Sequence, residues 1–234
     1  MKELLFRVAR SDTTGYFVRY AFENLTFLMP LDRVVNTPKT IVFHHLIPQW
    51  QQHLLAVPKK SIRSFTSLNL NNLIYVEYLK DLLKATQQAA YKQKLESFAI
   101  LLNGGRYQDV PQFHLHLISG KSKDGIEPIY VQYSRAVRGR PINRGGGIVG
   151  FKSDFPFRKF HTVIHSQEPL GTIQTVNLDD NQVFSTVANI FRQAQEVIGR
   201  SKLDKYTLLS IHQPGSSNPE LVFHLVSGES VRPN

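Results

Sequence analysis

Gln112, His114 and His116 alternate with Phe113, Leu115 and Leu117. A strand repeats its side-chain direction every two residues, so an extended run here puts the polar three on one face and the apolar three on the other. Two neighbouring imidazoles can divide labour near neutral pH, one attacking or taking a proton while the other gives one. The same spacing also fits a half-buried strand whose polar face carries histidine, or a pair of zinc ligands. The segment before it, Asn103-Gly104-Gly105-Arg106-Tyr107-Gln108-Asp109, reads as a polar, glycine-containing turn. More imidazoles stand upstream at His44, His45 and His53.

Several elements must position these side chains. Leu4–Ala9, Tyr16–Phe22, Leu25–Leu28, Thr40–Phe43 and His53–Val57 have strand composition and are separated by polar turns. Leu73, Val76, Leu79, Leu82, Leu83, Thr86, Ala89 and Ala90 recur at helical spacing behind Asn69 or Asn71, which predicts a long amphipathic helix ending near Leu95. Phe98–Leu102 then reads as an apolar strand leading into the histidine run.

Composition bounds the function more loosely. In 234 residues, 41% are hydrophobic and 11% aromatic, enough for a substantial core and against disorder. There is no cysteine, which removes disulfides and thiol-ligated metal. Met1–Arg7 lacks the apolar core of a signal peptide and no 18-residue apolar run occurs, so the expectation is a cytoplasmic protein without membrane association. The net charge of +10 favours phosphate-bearing partners, from nucleotides to RNA, although a solvated basic surface carries the same charge. Segment Ser134–Gly147 holds Arg135, Arg138, Arg140 and Arg144 and ends in Gly145-Gly146-Gly147, and it carries no acid. Guanidinium forks and backbone amides there make it a candidate phosphate or nucleic-acid contact, against the commoner reading of a plain flexible loop with a solvated face.

Gln108-x-Val110-Pro111-Gln112-φ-His114-φ-His116-φ-φ resembles the signature of the histidine triad superfamily, Gln-x-Val-x-His-φ-His-φ-His-φ-φ, with Gln112 in place of the first histidine. His45 through Ile62 resembles that family's upstream hallmark without a gap. The resemblance covers roughly residues 15–120 and implies nucleotidyl or phosphoryl chemistry through a covalent nucleotidyl-histidine. It implies His114 as nucleophile, His116 as a phosphate-oxygen ligand and His53 as a ring entering from the neighbouring strand. Asn103 and Gln108 match phosphate-contacting amides. Three positions depart from the pattern. Gln112 carries no proton, His45 replaces a ribose-binding aspartate, and Asp109 replaces a serine or threonine on the α-phosphate, with Arg106 as its expected partner. Ser61 replaces a further histidine. A nucleotide hydrolase or transferase is the first reading, and a non-catalytic nucleotide- or RNA-binding module the second. No cofactor or metal is called for, while a zinc site of His114, His116 and His53 or His45 stays open.

The second half repeats the first. Adding 108 maps Phe43, Pro48, His53, Asn69 and Leu70 onto Phe151, Pro156, His161, Asn177 and Leu178, and His116-Leu117 onto His224-Leu225. Without gaps, residues 43–120 give 14 identities in 78 positions, where composition alone gives roughly 1 in 17. A second amphipathic helix follows Asn177 or Asp179. The copies are chemically unequal, with His114 answered by Val222 and Gln112 by Glu220. The expected fold is therefore α+β: two tandem units, 1–121 and 122–234, each an antiparallel sheet of about five strands with one long helix. The resemblance implies that the units join edge to edge as a pseudo-dimer within one monomeric chain, the first holding the competent site and the second a decayed one.

Overall fold

The computed structural model describes residues 20, 22–24, 31–125, 139–145, 147–214 and 221–231, with the strand 139–145 described by its backbone alone. Among the described residues, ten strands form one antiparallel sheet. In chain order they are β1 (Arg33–Asn36), β2 (Thr40–His44), β3 (Trp50–Pro58), β4 (Phe98–Gly105), β5 (Leu115–Ser122), β6 (Gly139–Gly145), β7 (Ile148–Ser153), β8 (Arg158–Ser166), β9 (Lys205–His212) and β10 (Val222–Ser230). Across the sheet they run β1-β2-β3-β5-β4-β9-β10-β8-β7-β6. The first five strands in sequence occupy one side of the β4/β9 junction and the last five the other, in the same order counted from either edge.

Two 20-residue helices, α1 (Leu73–Lys92) and α2 (Asn181–Arg200), lie 108 residues apart, each following the third strand of its half. Asn72 Oδ1 accepts from Ile74 N–H at the start of α1. Asp180 Oδ1 accepts from Gln182 and Val183 N–H at the start of α2. Each cap satisfies amides that the first helical turn leaves over, and removing one costs about 1 kcal/mol. The capping residues lie one position beyond the nearest expected from sequence, which is the ordinary uncertainty of a helix end. Leu79, Leu82, Leu83, Ala89 and Ala90 are buried as the periodicity predicts, whereas Leu73 is exposed.

Both helices share one core with alternate strand residues, including Leu54, Ile100, Leu117, Ile164, Leu208 and Leu225. Burying each such large aliphatic side chain contributes about 1.5–3 kcal/mol. The intervening residues point to the other sheet face, where Ala99, Leu101, Ile118, Phe157, Leu209 and Val226 form a second cluster. His53, His116, His161 and His224 belong to that second face by the same alternation.

Several expectations change. Asn103-Gly104-Gly105 is no turn: β4 continues through them because β9 pairs with every residue from Phe98 to Gly105. Gly104 is what permits this, since a Cβ there would collide with the Tyr206 ring of β9. β5 begins only at Leu115, so Gln112, Phe113 and His114 precede the strand. Gly139–Gly145 is an edge strand paired with β7 rather than a loop. The rest of the Arg135–Arg144 segment, 135–138, lies outside the described residues, as do Glu220 and the predicted strands Leu4–Ala9 and Leu25–Leu28. Of the predicted strand Tyr16–Phe22, the described residues Tyr20 and Phe22 are helical.

Candidate active site

Strands β3 and β5 are antiparallel neighbours, with His53 opposite Ile118 and Leu55 opposite His116. His53 and His116 are therefore diagonal on one face, with ring centroids 5.2 Å apart. Gln49 N–H donates to His53 Nδ1 at 3.1 Å. A neutral His53 consequently carries its proton on Nε2, which lies 2.9 Å from His116 Nδ1. That contact in turn puts the His116 proton on Nε2, 3.1 Å from His114 Nε2. At the far end, His114 Nδ1 lies 2.6 Å from the Gln112 carbonyl, an acceptor only, so Nδ1 donates. The two backbone groups at the ends thus fix three tautomers in one direction, and the lone pair of His114 sits on Nε2.

The rings are held neutral. Burial, reinforced by His45 and then His114, keeps His53 down at about 3, and burial followed by His114 keeps His45 at about 4. Burial and the charges of His114, His53 and His45 push His116 well below the imidazole range. Burial also lowers His114, although the Gln112 carbonyl and Asp109 pull the other way. An uncharged imidazole is the nucleophilic form.

His45 stacks on His53 with centroids 4.1 Å apart and planes 15° from parallel. One nitrogen each of His45, His53 and His116 fall within 4.8 Å of one another, close enough to suggest a cation site. The proton positions oppose it. A metal-bound imidazole gives its lone pair to the metal and donates from its other nitrogen. Ile47 N–H donates to His45 Nδ1 at 3.0 Å, just as Gln49 N–H does to His53 Nδ1, so both rings carry their proton on Nε2.

The remaining positions singled out from sequence are engaged with protein. Asn103 Oδ1 accepts from Thr207 Oγ1 of β9 at 2.7 Å. Gln108 Nε2 donates to the carbonyls of Arg63 and Val110. Gln112 is 1% exposed, and its Nε2 donates to Pro58 O at 3.2 Å and Lys60 O at 3.1 Å. Asp109 is exposed in the turn, and its expected partner Arg106 is paired instead with Asp204, which the β4/β9 pairing brings alongside. Sequence reasoning missed the lacing of residues 58–63 to 108–113, completed by Phe113 N–H donating to Ile62 O at 2.7 Å. The two glutamines, four residues apart, were its only signal.

Residues 26–128 match the family model described as scavenger mRNA decapping enzyme C-term binding. Over 103 residues the chain is 26% identical to a HIT-like protein of Buchnera aphidicola subsp. Baizongia pistaciae (strain Bp), which covers 42% of this chain and 89% of that one. Among solved structures it is similar to a GalT-like protein from Arabidopsis thaliana, with a TM-score of 0.64 at 10% identity over 92% of this chain and 83% of the other. It is also similar to an ADP-glucose phosphorylase from Arabidopsis thaliana with bound ADP-glucose, with a TM-score of 0.60 at 10% identity over 84% and 74%. At such identity these two structures bear on the fold alone. Over residues 26–128 the family model and the HIT-like relative agree, and this part of the chain is similar to the histidine triad superfamily.

Proposed function

We propose that the chain is a nucleotide hydrolase or nucleotidyltransferase acting through His114. The observation that carries this reading is the 2.6 Å contact from His114 Nδ1 to the Gln112 carbonyl, which leaves Nε2 as the free-electron-pair atom of a neutral ring. The Nε2 lone pair attacks the phosphorus of a nucleoside phosphate ester, polyphosphate or phosphoramidate. A P–N bond forms, and the bond to the leaving group breaks with its electron pair departing on that group, which takes a proton from solvent. The ring is then a cationic phosphoimidazole whose Nδ1–H stays on Gln112 O. His116 Nε2–H, released from His114, donates to a non-bridging oxygen. Water or a second acceptor hydroxyl then attacks phosphorus and gives up its proton to solvent, while the P–N bond breaks with its electron pair returning to Nε2 and restoring the neutral ring.

The chain organisation fits a monomer of two tandem units, 1–121 and 122–234, paired as an internal pseudo-dimer. The strand order about the β4/β9 junction and the two helices 108 residues apart support it. The candidate nucleophile stands in the first unit only.

A second reading, a non-catalytic nucleotide- or RNA-binding module, draws on the basic surface that a net charge of +10 implies. Incubation with a panel of adenylylated and uridylylated compounds, followed by intact mass, separates the two. The first reading expects one nucleotidyl adduct, lost in His114→Ala. Saturable binding with no adduct from any compound leaves the second.

A further inference from the structure

β3 ends at Pro58, and the two lysines that follow it turn different ways. Lys59 Nζ reaches the β1 side and donates to Thr37 O at 2.6 Å. Lys60 turns to the start of α1, where its Nζ lies 5.6 Å from the centre of the Tyr75 ring and 6.0 Å from that of Tyr78. The two tyrosines are three residues apart on α1 and so stand side by side on one face of the helix. Both are half-buried, and Tyr75 packs on the core. Leu73 and Ile74, at the very start of the helix, are 78% and 56% exposed. The acids of this region are engaged elsewhere: Glu77 accepts from Lys39 Nζ at 2.5 Å, and Asp81 from Thr37 Oγ1 at 2.5 Å. Among the described residues the Lys60 ammonium thus meets two aromatic rings and no carboxylate. A cation held by ring faces keeps its outer side for an anion.

We propose that Tyr75, Tyr78 and Lys60 form a platform for a single strand of nucleic acid leading away from His114, with the rings stacking bases and the ammonium meeting the phosphate between them. Platform and site are joined through the main chain. Lys60 O accepts from Gln112 Nε2 at 3.1 Å, and Gln112 O meets His114 Nδ1 at 2.6 Å. Every base has a face that can stack on tyrosine, and a cation beside such rings tracks the backbone. The net charge of +10 adds attraction at long range. A second protein fits this patch less well. A stable interface buries about 1,200 Å² or more in all, far beyond what two exposed aliphatic residues and two half-buried rings offer. The proposal narrows the substrate of the site to an oligonucleotide end, and it rests on the reading of His114 for where the reacting phosphorus lies. Binding itself can be measured without turnover.

The test is fluorescence anisotropy of the full chain with a labelled oligoadenylate of about eight nucleotides, titrated at several salt concentrations. Replacing both rings, Tyr75→Leu with Tyr78→Leu, keeps apolar packing and should weaken binding by about tenfold or more, with the salt dependence unchanged. Tyr75→Phe with Tyr78→Phe keeps the stacking faces and should bind as the wild type does. Lys60→Gln should lower the slope of log affinity against log salt by about 0.7. Should the leucine variant fail to fold by circular dichroism, the slope in Lys60→Gln decides alone. Equal affinity in the wild type and the folded leucine variant overturns the proposal, as does a duplex of the same length bound as tightly as the single strand. A dimer that dissociates in the leucine variant, seen by sedimentation, gives the patch to a second copy and overturns it too. Strand binding lost with the rings, but no nucleotidyl adduct from any compound, counts against the chemistry at His114 and leaves the platform standing. An adduct with strand binding indifferent to all three variants does the reverse.

Discussion

Two histidine pairs stand 108 residues apart on the same sheet face and are built alike. In each, a backbone N–H donates to the first ring, from Gln49 to His53 at 3.1 Å and from Phe157 to His161 at 3.3 Å. In each, the first ring meets the second, His53 to His116 at 2.9 Å and His161 to His224 at 3.0 Å, with centroids 5.2 Å apart. Their surroundings differ. The second pair is closed off, each ring 1% exposed, and the place of His114 is taken by Val222, packed against Phe151 and Val163. A pair that persists where Val222 stands in the place of His114 belongs to the framework. What distinguishes the first half is His114 and the carbonyl that orients it.

The most drastic way to break the contrast is to make the first half resemble the second. His114→Val should abolish the adduct and lower turnover by about three orders of magnitude or more, with the fold retained by circular dichroism. Removing the equivalent rings should then split stability from activity. His53→Ala and His161→Ala each empty a buried ring site and should each cost roughly 3 kcal/mol in urea denaturation. Only His53→Ala should also reduce turnover, while His224→Ala keeps it within a few-fold. Equal losses of turnover from the two halves would sink the one-site reading.

Acid should expose what the pairs share. His53 and His224 are both held at about 3 against an ordinary value of 6.5, by burial first and the neighbouring ring next. Lowered pKa values in the fold mean that the unfolded chain binds more protons below pH 6.5. Stability is therefore fully present above 6.5 and declines as pH falls toward about 3. At pH 5 each such ring should cost roughly 2 kcal/mol, read as a falling urea midpoint. Replacing His224 by leucine should flatten that decline, and an equally steep one would show that His224 is not held neutral. The smallest effect concerns the Lys84–Asp179 ion pair between the halves, 2.5 Å long but with side chains 44% and 73% exposed. Lys84→Ala should leave the melting midpoint unchanged within error.

Much of this architecture could be read from residue order. The helices followed from apolar spacing, and β2 with β3 from apolar runs between turns, because burial of one face imposes its period on the sequence. The histidine cluster was legible because His53, His114 and His116 lie in two recognisable segments. What was illegible depended on long-range partners. Asn103-Gly104-Gly105 looks like a turn until Tyr206 lies over Gly104 and β9 pairs with it. Arg106 looks like the partner of Asp109 until Asp204 arrives from the other half. Gln112 looks like a degraded triad position until the carbonyls of Pro58 and Lys60 are seen around its amide.

The β4/β9 ladder joins the halves over eight residue pairs, from Phe98 opposite His212 to Gly105 opposite Lys205. Taken alone, the first half would end at β4, a long flat border of Phe98, Ala99, Ile100, Leu101 and Leu102 with open N–H and C=O groups. Such a border recruits any strand it meets, most readily an identical one, and continues into fibres where the geometry does not close. In the full chain β9 covers this border, so the half that carries Val222 in place of His114 should block such pairing. A chain cut after residue 121 would be expected to pair with its own copies through β4, and its solubility rather than its chemistry would fail first.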